Sequence, residues 1–297
     1  MNILIISPSW EERSYLGFVK NIDNLDINKV IIVKYVQSLF PIETESILDK
    51  IKNDVIKSDI LIDYIELHDE TTEKWKALSS YVSNLELDVD DKMYLDITTM
   101  SRNVIWGLLF FLHQKPLTIN IIYYQPLSYS SDWISKEPDV PRLLFKHSGI
   151  YKMGLPTALV ILTGFDPERT MQLVRYYEPQ KVILGLQVGE QFRNNKLNSG
   201  EQHEKACVGL IDINNICSFE FDAYSQDNGY EIIDKQIETL LDDYNIIVSS
   251  HGPKLSAISL YKCFLHHEDI ALSYVPCKEY NKDYCKGIGS RYIAILE

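Results

Sequence analysis

Between Asn2 and Tyr124 the sequence alternates short apolar runs with longer stretches of helical spacing, and this alternation limits the chain to one class of fold. Asn2 to Ile6, Val30 to Val36, Ile60 to Ile65, Met93 to Asp96 and Thr118 to Tyr124 read as strands, being short, apolar and rich in β-branched residues. Glu43 to Lys57 carries Ile47, Leu48, Ile51 and Val55 on one helical face, and Trp75, Leu78, Tyr81 and Val82 mark the next helix. Trp106, Leu108, Leu109 and Leu112 are the core face of another. Strands and helices alternating at this spacing form a mostly parallel sheet with helices on both faces. The expected fold class is α/β.

Gln125 to Val140 is rich in Ser, Pro and Tyr and reads as a loop, after which Arg142 to Lys146 adds an edge strand to the first sheet. The pattern then starts afresh. Ala158 to Leu162, Lys181 to Leu186, Cys217 to Phe221 and Asn245 to Ser249 are strands; Ile232 to Leu241 is a helix. Asp166 and Pro167 fit an N-cap and a first helical position. Gln191 to Gln202 is polar, with Asn194, Asn195 and Gly200, and reads as a mobile loop that acts as a lid or a partner contact.

The halves share landmarks in the same order. Glu12-Arg13-Ser14 answers Glu168-Arg169-Thr170; a polar turn ending in Arg102 answers one ending in Lys254. Tyr123-Tyr124-Gln125-Pro126 with Tyr129 answers Ser273-Tyr274-Val275-Pro276 with Tyr280, and the edge run from Arg142 answers the run from Arg291. The expectation is a duplication: two tandem Rossmann-like modules, residues 1–150 and 155–297, joined near Gly154-Leu155-Pro156, each a mostly parallel sheet with a terminal antiparallel edge strand.

In a parallel sheet, ligands sit beyond the carboxyl ends of the strands, where these polar turns fall. After the strand ending at Asp96, the turn Thr98-Thr99-Met100-Ser101 leads into a helix whose first turn carries Arg102. Backbone N–H groups at the positive end of the helix dipole, hydroxyl donors and a cation suit an anion such as phosphate. Ser249-Ser250-His251 followed by Lys254 offers the same set in the second half. Ser9 with Arg13, and Thr163 with Arg169, follow the first strand of each half and complete the ligand-binding candidates, with Tyr280 able to stack on a base. Asp96 suits an acceptor for turn N–H groups. Two pseudo-symmetric turns would place Arg102 and Lys254 on one ligand in a composite cleft. His251 lacks a carboxylate placed by the sequence to orient it, so no catalytic residue is assigned.

Asp96-Ile97-Thr98-Thr99-Met100-Ser101-Arg102 resembles the signature of CRISPR-associated Rossmann-fold sensor domains, in which an Asp, a Thr two residues on and a Lys six residues on bracket a glycine pair after the fourth strand. Asp96, Thr98 and Arg102 hold those offsets; Ser250 and Lys254 match the Thr and Lys, with Val248 in place of the Asp. Thr99-Met100 replaces the glycine pair, and Gly252-Pro253 keeps one glycine, which alters a backbone approach that needs Gly. The resemblance implies a dimerising fold with a terminal two-stranded edge and a ligand among cyclic or linear oligoadenylates. The length left over accommodates no fused nuclease, so the implied role is a sensor in bacterial antiviral defence acting through a separate effector protein. Two alternatives stay open: a phosphodiesterase or phosphotransfer enzyme acting on such a nucleotide, because positioning and cations alone can promote 2′-hydroxyl attack, and a scaffold subunit of a complex.

Composition sets the outer limits. A net charge of −13 argues against a broad duplex-binding surface while leaving room for one small anionic nucleotide in a local cationic pocket. No apolar run approaches the length of a membrane span. The N-terminus lacks a basic leader, and the five cysteines, all in the second half, show no CxxC, so they read as reduced thiols in a cytoplasmic protein. The histidines include the pair His266-His267 but no HExxH, and neither a metal nor a cofactor is expected.

Overall fold

The computed structural model describes residues 1–189, 192 and 195–296. It contains two compact units, Met1–Tyr129 with Cys285–Glu297, and Ser130–Tyr284. Each is built on a six-stranded sheet of mixed α/β character.

In the first unit the elements run β1 (Asn2–Ile6), α1 (Glu12–Asn24), β2 (Lys29–Tyr35), α2 (Pro41–Lys57), β3 (Leu61–Leu67), α3 (Thr71–Asn84), β4 (Lys92–Asp96), α4 (Arg102–Leu112) and β5 (Ile119–Tyr124). The parallel strands lie in the order β3-β2-β1-β4-β5, so the order reverses at the β1/β4 pair. Leu4, Ile6, Val30 and Ile32 pack on Phe18, Leu48, Ile51 and Val55 of α1 and α2. On α4, Val104, Ile105, Trp106, Leu108, Leu109 and Leu112 are all buried, which explains a sequence apolar nearly all round. The sixth strand comes from far along the chain: β16 (Arg291–Leu296) runs antiparallel to β5, with Arg291 opposite Tyr124 and Leu296 opposite Ile119.

The second unit repeats that order. Its elements are β9 (Thr157–Leu162), α5 (Pro167–Tyr177), β10 (Lys181–Gln187), α6 (Gly200–Cys207), β11 (Ile216–Phe221), α7 (Tyr230–Glu238), β12 (Asn245–Ser250), α8 (Lys254–His266) and β13 (Ala271–Tyr274). The parallel strands lie as β11-β10-β9-β12-β13, and the order reverses at β9/β12. Leu159, Ile161, Val182 and Leu184 pack on Leu173, Val174 and Cys207. The antiparallel edge is β8 (Arg142–Leu143), beside β13.

Two mostly parallel sheets with antiparallel edges are as the sequence leads one to expect; the boundaries are not. The edge run from Arg142 belongs to the second sheet and the run from Arg291 to the first, so the units do not divide between residues 150 and 155. The physical reason is that an edge strand pairs by backbone hydrogen bonds alone, and nothing in its local pattern selects between two similar open edges. The expected loop Gln125 to Val140 also holds paired strands. β6 (Ser128–Tyr129) pairs with β15 (Cys285–Lys286) in the first unit, and β7 (Ser135–Pro138) with β14 (Cys277–Tyr280) in the second. Part of the expected mobile loop Gln191 to Gln202 lies outside the described residues; its end is helical, because the Ser199 hydroxyl accepts from Gln202 N–H and caps α6.

Among the described residues, no helix is long and apolar enough to cross a membrane.

Candidate functional site

In the first unit β1 and β4 both end in polar turns at the reversal point. Asp96, the last residue of β4, is buried, and its carboxylate accepts from Thr98 N–H at 2.9 Å and from the Asn21 amide at 2.7 Å. Asn21 in turn accepts from Tyr124 Oη at 2.9 Å, while the Thr98 hydroxyl accepts from Tyr124 N–H at 3.0 Å. Burial foremost, and then the Asp96 charge, pushes the Tyr124 phenol up to about 12. Asp96 and Thr98 therefore lock the turn to α1 and β5 from inside.

The next residues are more open. Thr99, Ser101 and Arg102 are half-buried. Thr99 Oγ1 donates to the Ser7 carbonyl at 2.6 Å, which ties the β4 turn to the β1 turn. Ser9 Oγ accepts from Glu11 N–H at 3.2 Å, and Ser9 N–H donates to Ser14 Oγ at 3.2 Å. Tyr35, at the end of β2, places its hydroxyl 2.6 Å from Ser101 Oγ and accepts Ser101 N–H at 3.1 Å. Desolvation holds this phenol above its ordinary value. The sequence reading missed Tyr35; its position as the last residue of the second strand was the available signal. Trp10 and Phe40 lie with ring centroids 4.7 Å apart, following β1 and β2.

Arg13 is elsewhere engaged. It is buried, with Nε 2.6 Å from Glu11 Oε2 and Nη1 donating to the Tyr124 carbonyl at 3.0 Å, its guanidinium 5.8 Å from the Tyr123 ring centre. Cys285 Sγ lies 3.2 Å from the same Glu11 oxygen. Arg169 occupies the corresponding helical turn of the second unit. Its Nε lies 2.8 Å from Cys277 Sγ, and Nη2 donates to Tyr280 Oη at 2.9 Å. Burial alone favours the neutral guanidine, but Tyr280, Asp166 and Cys277 outweigh it and keep Arg169 charged, its pKa above the ordinary arginine value. Asp166 does not cap α5 with its side chain; it accepts from Ser135 Oγ at 2.6 Å and faces Arg169 at 3.8 Å. Tyr280 is thus held by its hydroxyl to a buried cation.

The second unit's turns are closed against each other. Thr163 Oγ1 donates to the Gly185 carbonyl at 2.9 Å, Ser249 Oγ to the Ser273 carbonyl at 3.0 Å, and Ser250 Oγ lies 2.6 Å from Ser256 Oγ; all three residues are buried. His251 is also buried, and its N–H donates to the Leu162 carbonyl at 2.8 Å. Lys254, the first residue of α8, is half-buried. Ser9 and Thr163 precede α1 and α5, which carry Arg13 and Arg169 in their first turns, and Ser101 and Pro253 immediately precede α4 and α8. None of these four helices has a side-chain cap hydrogen bond at its N-terminus.

Comparison of the sequence with protein-family models and with curated proteins finds no match. Solved structures do match. A Type III CRISPR defence DNA nuclease activated by cyclic oligoadenylate aligns with 89% of this chain at a TM-score of 0.54 and 6% identity. The likeness is one of fold. The aligned chain spans 64% of that nuclease. The cytoplasmic domain of a prokaryotic cation chloride cotransporter aligns with 94% of the chain at 6% identity and a TM-score of 0.27, too low to carry an argument.

Two features lie outside the expected sites. A hollow of about 640 Å³ in the first unit is lined by Lys29, Asp63, Tyr81 and Leu85, at the start of β2 rather than at the polar turns. Asp234, His266 and His267 form a cluster in the second unit. The spacing Cys263-x-x-His266-His267 at a helix end was the sequence signal for it, and a search for HExxH passes over it.

Proposed function

We propose that this chain binds an oligonucleotide second messenger of the oligoadenylate class and relays that binding to a separate effector protein in antiviral defence. One observation carries the reading. In each sheet the strand order reverses at one pair, and the helix after the second strand of that pair opens on a cation, Arg102 on α4 and Lys254 on α8. A cation at a helix N-terminus opposes the dipole, and a phosphate there offsets that repulsion while accepting backbone N–H groups. In the first unit Thr99 and Ser101 add hydroxyl groups, and the Trp10–Phe40 pair offers a base an aromatic face at the same sheet edge. The fold likeness to a nuclease activated by cyclic oligoadenylate supports this ligand class.

The test is titration of the purified chain with cyclic and linear oligoadenylates, with calorimetry and thermal unfolding reporting binding and chromatography reporting product. Binding without product is expected. Product would replace the sensor reading by a phosphodiesterase, and no binding across the panel would remove the nucleotide ligand altogether. A charge-assisted hydrogen bond contributes about 1.5–3 kcal/mol, so Arg102→Ala and Lys254→Ala should each weaken binding by about 10- to 100-fold. Unchanged affinity in both variants, with native circular dichroism, would sink the assignment.

A further inference from the structure

The end of α8 and the buried side of α7 bring three metal-ligating side chains together. His266 is the last residue of the helix and His267 its C-cap, so the two imidazoles leave the same helix end, their ring centres 4.3 Å apart. Asp234 faces them from the buried side of α7. His266 Nδ1 lies 2.9 Å from Asp234 Oδ2, and His267 Nε2 lies 2.9 Å from Asp234 Oδ1. The three ligand atoms all fall within 4.8 Å of one another.

Those separations bracket the edge of a metal tetrahedron, about 3.3 Å for bonds of about 2.0–2.1 Å. Two imidazole nitrogens and one carboxylate oxygen suit a borderline cation of the zinc class; calcium and magnesium take oxygen ligands. Access is one-sided: the His267 and Asp234 side chains are 11% and 9% exposed, whereas His266 is 55% exposed. Water can fill the remaining position. Tyr230 Oη, 3.4 Å from both Asp234 Oδ2 and His266 Nδ1, borders the same point. Cys263 is buried one helical turn back, and burial, with Asp234 adding to it, pushes its thiol well above the ordinary value.

We propose that Asp234, His266 and His267 bind a zinc-class divalent cation that fastens α7 to the end of α8, with a solvent-facing coordination position at His266. The experiment uses the full chain, stripped with chelator and titrated with zinc, with cobalt(II) as a spectroscopic probe and magnesium as the oxygen-preferring control. One equivalent of zinc should bind and raise the unfolding temperature, chelator should reverse both, and cobalt should give a tetrahedral absorption spectrum. His266→Ala, at an exposed position that leaves folding intact, and His267→Ala should each weaken zinc by on the order of 100-fold or more. Zinc binding that survives in both variants, or magnesium binding as tightly as zinc, would overturn the site. If His267→Ala fails to fold, the exposed His266→Ala decides alone.

Discussion

At Gly164 the backbone of one turn rests on the backbone of another. A Cβ there would lie 2.3 Å from the His251 carbonyl oxygen and 2.8 Å from its carbon, and a Cβ at Gly252 would lie 2.7 Å from the Thr163 oxygen. No side-chain rotation clears a backbone atom, so Gly164→Ala should cost about 1–3 kcal/mol, read from the denaturation midpoint in urea. An unchanged midpoint would mean that the turn yields freely. Residues of this kind show what sequence can reveal. Asp96 was legible as a turn acceptor because its partner Thr98 is two positions away. Arg13 and Arg169 were visible as helix-start cations, yet their burial was not. Tyr123, Tyr124 and Cys285 around one, and Cys277 and Tyr280 around the other, come from distant segments that no local pattern ties to them.

At the scale of elements, strand positions were legible because a run such as Asn2–Ile6 carries its own period and composition. Edge membership was not, since β8 and β16 exchange places relative to their order in the chain. The exchange has a measurable outcome. A chain truncated after Tyr284 loses β15 and β16, and amide exchange should then accelerate at Ile119–Tyr124, which keeps β4 but loses its outer partner strand, while Asn245–Ser250 stays protected. Retained protection of β5 would show that the sheet tolerates an open edge. Helix α7 illustrates a local device that could be read only in three dimensions. Asp227 lies before its start and accepts from Gly229 and Glu231 N–H groups at 3.0 Å each. Although burial acts upward on that carboxyl, these bonds and the Ser225 hydroxyl hold it below its ordinary value.

For the whole molecule, the second unit should respond to mild acid through two buried histidines. Burial holds both His147 and His203 below the ordinary imidazole value. His203 lies with Nδ1 2.8 Å from the Thr170 hydroxyl and Nε2 3.0 Å from the Gly164 carbonyl, and the neutral ring satisfies both by accepting from the first and donating to the second. With the folded pKa depressed, the unfolded chain takes up the proton first. Stability is therefore full above about 6.5, the unfolded histidine value, and declines as pH falls from there toward the folded pKa. Melting temperatures between pH 7.5 and pH 5 should fall for the native chain and fall less for His203→Gln, whose amide can still donate to Gly164; parallel profiles would refute this. The strand exchange also sets a schedule for synthesis. The ribosome makes β5 before any residue of the second unit, yet the partner that covers its edge, Arg291–Leu296, emerges only after β13 and β14. The unit begun first is thus the one completed last, and its nascent sheet spends most of translation with one open strand edge that a chaperone, or another nascent chain, can reach.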